Sequence, residues 1–188
     1  DERVLNEMLP YFSANYANPS GSHLFSLTVQ DDVEQAGEAI ATEIGTQSKN
    51  IVYTSGETES INLVIKGLQF SSKKHIICIS TEHKAVLETC AFMELWGFEV
   101  SYLEVDHQGM VNLESLLGTI REDTALVCAM LANNETGLIL PIKQITEIAH
   151  QHHALVLCDA TQALGKVNID LRDLTVDFMA FSAHKFYG

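Results

Sequence analysis

Apolar positions along the chain follow two rhythms, one helical and one strand-like, and the two alternate. Between residues 22 and 45, Val29, Val33, Ala36, Ile40 and Ile44 recur at helical spacing, and Gly45 is placed to stop the helix. A short apolar stretch at 51–54 reads as a strand. Residues 57–70 read as a helix with Ile61, Val64, Ile65 and Leu68 facing inward. Strands are expected at 75–80 and 98–105, separated by a helix over 84–96 that Gly97 ends. Asn112 can cap a helix carrying Leu113, Leu116, Leu117 and Ile120. The apolar run 125–131 is short enough for a buried strand. Pro141 suits the start of a helix to residue 152, with Ile142, Ile145, Ile148 and Ala149 on one side. Runs at 154–158 and 177–181 are the last strands.

Strands alternating with crossover helices predict an α/β domain whose sheet is mostly parallel. In such a sheet ligands sit at the carboxyl ends of the strands, so functional residues are expected just after strands.

Composition changes this picture little. The chain has 188 residues, 46% of them hydrophobic, which suits a globular domain with a sizeable core. Its formal charge of −14 disfavours phosphate backbones and anionic lipid, so neither nucleic acid nor membrane is expected as a partner. No apolar run approaches the roughly 20 residues of a membrane span, and Asp1-Glu2-Arg3 does not resemble the start of a signal peptide. Cysteines 78, 90, 128 and 158 form no CxxC pair. They read as four reduced core thiols of a cytoplasmic protein, and no metal site is expected.

Five segments can carry chemistry. Thr54-Ser55-Gly56-Glu57-Thr58-Glu59 opens a helix, where free N–H groups and the positive helix end favour a phosphate. Alone, it better suits an ordinary capped helix start. Thr81-Glu82-His83 follows a strand, and His83 can stack on a flat ring or move a proton, or be a plain loop residue. Asn133-Asn134-Glu135-Thr136-Gly137 also follows a strand; Asn134 can donate to a ligand oxygen, or the segment is a turn. In Cys158-Asp159-Ala160-Thr161-Gln162, a buried strand runs into a carboxylate that needs a cation or donors, such as a pyridinium nitrogen. An N-cap or a metal ligand is the other use of such an aspartate. Finally, Ser182-Ala183-His184-Lys185 follows a strand, and a lysine beside apolar walls and other cations can present a neutral amine for Schiff-base formation. A surface lysine is the alternative. In this order the five segments make a pyridoxal-phosphate (PLP) site.

The same segments resemble the cysteine desulfurases, in the NifS/IscS-like branch of the class V aminotransferase-like, fold-type I PLP enzymes. The matches begin at Asn18-Pro19-Ser20-Gly21-Ser22-His23 and include Thr81-Glu82-His83-Lys84-Ala85-Val86-Leu87, Asp159-Ala160-Thr161-Gln162 and Ser182-Ala183-His184-Lys185-Phe186-Tyr187-Gly188. The resemblance implies that Lys185 is the Schiff-base lysine and proton shuttle, and that His83 stacks on the ring and assists acid–base steps. It implies that Asp159 pairs with the pyridinium nitrogen, that Asn134 and Gln162 contact the phenolic oxygen or the substrate's surroundings, and that Thr58, the backbone at Glu57, Ser182 and His184 hold the phosphate. The implied reaction converts L-cysteine to L-alanine and passes sulfur to an enzyme cysteine, for iron–sulfur cluster assembly or tRNA thiolation. A homodimer and a sulfur-acceptor protein such as an iron–sulfur scaffold are the implied partners.

Three local departures touch the expected pocket rim: Glu57 where the family often has a small residue, Leu131-Ala132 in place of His-Val, and Leu140 in place of Gln. The resemblance also implies that residues 1–188 are part of a large PLP-binding domain, short of an amino-terminal strand and of a small C-terminal domain. That domain carries the persulfide cysteine and the arginine that grips the substrate carboxylate. The other readings of the chain are another class V enzyme such as a selenocysteine lyase, and an inactive fragment lacking the catalytic cysteine.

Overall fold

The computed structural model describes residues 1–188, which divide into two compact units. One comprises residues 1–53, 169–172 and 183–188; the other comprises residues 54–168 and 173–182.

The larger unit holds a five-stranded sheet in the order β2-β1-β3-β4-β5, every neighbouring pair parallel. The strands are β1 (His75–Ile79), β2 (Glu99–Leu103), β3 (Thr124–Met130), β4 (Leu155–Asp159) and β5 (Phe178–Ala180). β1 and β3 are buried along their whole length, as expected of central strands covered on both faces. Side chains alternate across the sheet. Ile76, Cys78, Leu126, Cys128 and Leu157 pack on one face with Ile61 and Ile65 of α3 (Glu57–Gly67) and with Val86, Cys90 and Met93 of α4 (Lys84–Glu94). Ile77, Val127, Ala129 and Val156, also fully buried, point the other way. α5 (Leu113–Thr119) and α6 (Ile142–Gln151) pack on each other and on β2, β3 and β4.

After β1 the chain moves to β2 on one side, then returns to β3 on the other. The loops leaving β1 and β3 therefore diverge, and the crevice between them is the switch point at which such sheets bind ligands. Asn112 caps α5 as expected, its Oδ1 accepting the N–H groups of Glu114 and Ser115.

The smaller unit contains α1 (Glu2–Ser13) and α2 (Leu24–Glu43). α2 ends in a Schellman motif: Gly45 adopts φ +74°, its N–H donates to the Thr42 carbonyl, and the Thr46 N–H donates to the Ala41 carbonyl. No helix of the protein is long and apolar enough to cross a membrane.

The structure corrects three of the expectations and adds one helix to them. Residues 51–54 form no strand. Ile51 has extended backbone, yet Val52 and Tyr53 are 68% and 57% exposed, and no neighbouring strand supplies a hydrogen-bonding ladder. On α2 only Val29 and Ile44 of the expected inward face are buried, with Ser26, Gly37 and Ala41; Val33 and Ala36 are exposed. Leu117 of α5 is also exposed, because one short helix buries a single stripe, here through Leu116. α1 was not expected. Its Leu5, Met8, Leu9 and Phe12 lie at helical spacing and Asp1 accepts the Arg3 N–H at its start, but Pro10 inside it argues against a helix, and none of its residues is buried.

Candidate functional site

In the larger unit, His83, Asn134, Asp159, Gln162 and Ser182 follow the carboxyl ends of β1, β3, β4 and β5, whereas Glu57 and Thr58 open a helix that no strand precedes. Glu57 and Thr58 form the first turn of α3, directly after Gly56. The N-cap Gly56 has no side chain to cap this helix, while the Ser55 and Gly56 N–H groups are accepted by Glu59 Oε2 and Thr54 Oγ1. Ser182, buried, follows β5 and meets this turn: a Cβ placed on Gly56 would sit 3.4 Å from Ser182 Oγ. Glu59 stays in the same first turn as an anion. The hydrogen bond from the Ser55 N–H, 2.6 Å, holds its carboxyl below the usual carboxylate range. With Glu57 it is the feature of this turn least suited to a phosphate.

His83 is exposed and is the N-cap of α4. Its Nδ1 accepts the Ala85 N–H at 3.3 Å, so a neutral ring carries its proton on Nε2. The cap fixes the imidazole at the mouth of the β1/β3 crevice. Across it, the loop after β3 is tied down by Asn133, whose Nδ2 donates to the Thr81 carbonyl at 3.3 Å while its Oδ1 accepts the N–H groups of Glu135 and Thr136 at 2.9 Å. Asn133 is thus the turn-former, and Asn134 beside it is half-buried with no side-chain bond inside the protein.

Asp159 ends β4 and is only 6% exposed. Its Oδ1 accepts the Thr161 N–H at 2.9 Å, and its Oδ2 receives no hydrogen bond from the chain. Gln162, in the same turn, uses Oε1 to accept from Lys166 Nζ at 2.7 Å, which leaves its amide N–H groups to donate.

His184 and Lys185 belong to the smaller unit and lie exposed in the short 3₁₀ turn Ala183–Phe186. The apolar walls expected around Lys185 are not part of that turn, because a one-turn helix offers no face on which to bury a side chain.

One residue at this site carries a feature that the sequence does not reveal. Glu82 is 5% exposed, and its Oε1 accepts the Met130 N–H at 2.5 Å while its Oε2 is buried without a partner. Burial drives its carboxyl well above the ordinary range, and the nearby Asp159 charge adds to the effect. Its place beside His83 was visible in the sequence; its burial depends on the crevice and was not.

All four cysteines are free and fully buried, three on strands and Cys90 on α4, as expected. Hydrogen bonding to Cys90 and burial raise the Cys78 and Cys128 thiols, and burial raises that of Cys158.

The aminotransferase class-V family model matches residues 1–188. The chain belongs to the aminotransferase class V family. It is 44% identical over 192 residues to a cysteine desulfurase IscS of Ehrlichia chaffeensis, covering 100% of this chain and 47% of that protein. It is 47% identical over 193 residues to a cysteine desulfurase IscS of Dechloromonas aromatica, covering 100% and 48%. Among solved structures, that of SspA in complex with cysteine superimposes with a TM-score of 0.96 at 39% identity, covering 100% of this chain and 55% of that one. The chain spans about half the length of the curated relatives it matches.

PLP is the cofactor of this family. The donor set of the larger unit fits it. The positive amino end of α3, close to Ser182, suits a phosphate, and the unpaired Oδ2 of a buried aspartate suits a protonated ring nitrogen.

Proposed function

We propose that residues 1–188 are the PLP-binding large domain of a cysteine desulfurase, which converts L-cysteine to L-alanine and passes the sulfur to a cysteine of the enzyme. The observation that carries this reading is the 44–47% identity, over the whole of this chain and about half of theirs, to proteins named cysteine desulfurase IscS. A solved relative of the same fold was captured with cysteine.

When bound, PLP supplies an electron-withdrawing ring that labilises the bonds around an amino acid's α-carbon. The chain's own residues do the rest. Lys185 would provide the amine that holds the cofactor and a group able to carry a proton. His83 would lie against the ring and could exchange a proton through Nε2, since Nδ1 is occupied by the cap. Asp159 would hold a protonated ring nitrogen through Oδ2, since Oδ1 is taken by the Thr161 N–H. Gln162 would donate its amide to the ring's phenolic oxygen, with Asn134 in the same role. The backbone at Glu57, with Thr58, Ser182 and His184, would hold the phosphate. None of the four buried thiols is available to take sulfur, so the acceptor cysteine belongs to another part of the protein. The remaining assignments are a cytoplasmic homodimer that hands its sulfur to an iron–sulfur scaffold or to tRNA thiolation. Four buried, unpaired thiols fit a reducing compartment.

The test has two stages. The chain supplied with PLP should gain a visible absorption band, and borohydride should fix the cofactor on Lys185; Lys185→Ala should show neither. The protein that carries this domain should release alanine and sulfide in equal amounts from L-cysteine. A colourless, unlabelled wild type would defeat the cofactor assignment, and turnover of selenocysteine alone would defeat the substrate assignment.

A further inference from the structure

Glu82 is the one buried ionisable group at the site to which the proposed chemistry gives no role, and its geometry supplies one. β1 ends at Ile79, one residue before the level at which β3 reaches Met130, so the Met130 N–H faces the switch-point crevice with no strand left to accept it. Glu82 accepts it instead, through Oε1. The same Met130 stands in register with Asp159 on β4, and the Leu131 N–H donates to the Asp159 carbonyl at 2.8 Å. On the other side Glu82 is peptide-bonded to His83, and its N–H is anchored on the Ile79 carbonyl. One carboxyl group therefore links the turn that carries the imidazole to the strand end aligned with the aspartate.

We propose that Glu82 is a positioning residue: by bonding to Met130 across the β1/β3 crevice, it fixes His83 relative to the strand end that carries Asp159. This rests on the reading of the site as a PLP site. The link needs a side chain of glutamate length, because it must span the gap that the diverging loops leave open. It needs an acceptor, because an unpaired buried N–H is costly. The ionisable groups around the carboxyl are Asp159 and Cys158 of β4, Cys78 of β1, Cys128 of β3 and Cys90 of α4. All are acids and none offers a cation, so no ion pair holds the carboxyl in place and its bond from the Met130 N–H does so.

Two substitutions separate positioning from packing. Glu82→Gln keeps the acceptor and the volume; Glu82→Met keeps the volume and removes the acceptor. In the cofactor-free protein, NMR should show the His83 ring signals of Glu82→Gln at their wild-type shifts and titration midpoint, and those of Glu82→Met displaced, with faster exchange of the Met130 amide. With PLP added, the dissociation constant should stay within about twofold for Glu82→Gln and rise about tenfold for Glu82→Met. If Glu82→Met fails to fold, Glu82→Asp, too short to reach Met130, takes its place. Unchanged His83 signals in the acceptor-free variant would overturn the proposal, as would equal damage in Glu82→Gln. A wild type that binds no PLP would defeat the cofactor reading instead, and the cofactor-free spectra would still decide the role of Glu82.

Discussion

The Asp159 carboxylate holds the Thr161 backbone N–H on one oxygen and leaves the other unbonded. The first bond shapes the turn after β4, and the second oxygen remains for a ligand. Asp159→Asn separates the two uses. Asparagine can still accept the Thr161 N–H, so the cofactor-free variant should keep the wild-type melting temperature. It cannot stay anionic, so it forfeits a charge-assisted bond to the ring nitrogen worth about 1.5–3 kcal/mol. The PLP dissociation constant, from titration of the visible band, should rise by about one to two orders of magnitude. Unaltered affinity would remove Asp159 from the ring.

Gly45 gives a test of the smaller unit alone. Its φ of +74° lies where other residues are strained, and a Cβ there would collide with Asp170 Oδ1 and come within 3.1 Å of Arg172 Nε. Asp170 and Arg172 are held together by a paired salt bridge, so they yield only by breaking it. Gly45→Ala should destabilise the protein by about 1–3 kcal/mol, read from the midpoint of urea unfolding. Gly97→Ala is the control. It shares a positive φ but has open space around its Cβ position, so it should cost less.

How much of this was legible beforehand follows from where each signal resides. β1, β3 and β4 announce themselves because a strand covered on both faces is apolar throughout, and the residue that ends each run falls at the ligand end of the sheet. Asp159 and the Thr81-Glu82-His83 turn were therefore placed correctly from sequence. The stretch 51–54 misled because it looks like such a strand, whereas strand formation requires a partner that local sequence does not reveal. The burial of Glu82 was illegible for a related reason. Nothing local distinguishes a carboxylate in solvent from one inside a crevice made by two loops fifty residues apart. The identity of the turn-former at Asn133 rather than Asn134 depends on the Thr81 carbonyl, again a non-local contact.

The four thiols should be silent in the native state. Each is fully buried, so no reagent reaches it; the Cys78, Cys128 and Cys158 thiols are also raised above the ordinary range, whereas hydrogen bonds with Cys128 and Cys78 lower Cys90 to about 5, so burial alone keeps Cys90 silent. A thiol reagent should titrate none of them in buffer and all four in guanidinium. Rapid labelling of any of the four in the folded protein would return that residue to consideration as a sulfur carrier.

Glu82 should leave its mark on the pH dependence of stability. Burial raises its folded pKa well above 4.5, the value it takes when unfolded. Below pH 4.5 the group is protonated in both states and contributes no slope. Above it, the unfolded chain ionises while the folded chain keeps its proton, so the unfolded state is favoured increasingly as pH rises, until the folded pKa is passed. The slope is about 1.4 kcal/mol per pH unit for one such proton. Glu82→Gln cannot ionise in either state and should escape it. The difference in unfolding free energy between Glu82→Gln and wild type should therefore grow in favour of the variant between pH 5 and pH 7, measured by urea unfolding at fixed ionic strength. Parallel curves across that range would mean that the folded protein ionises Glu82 as easily as the unfolded chain does.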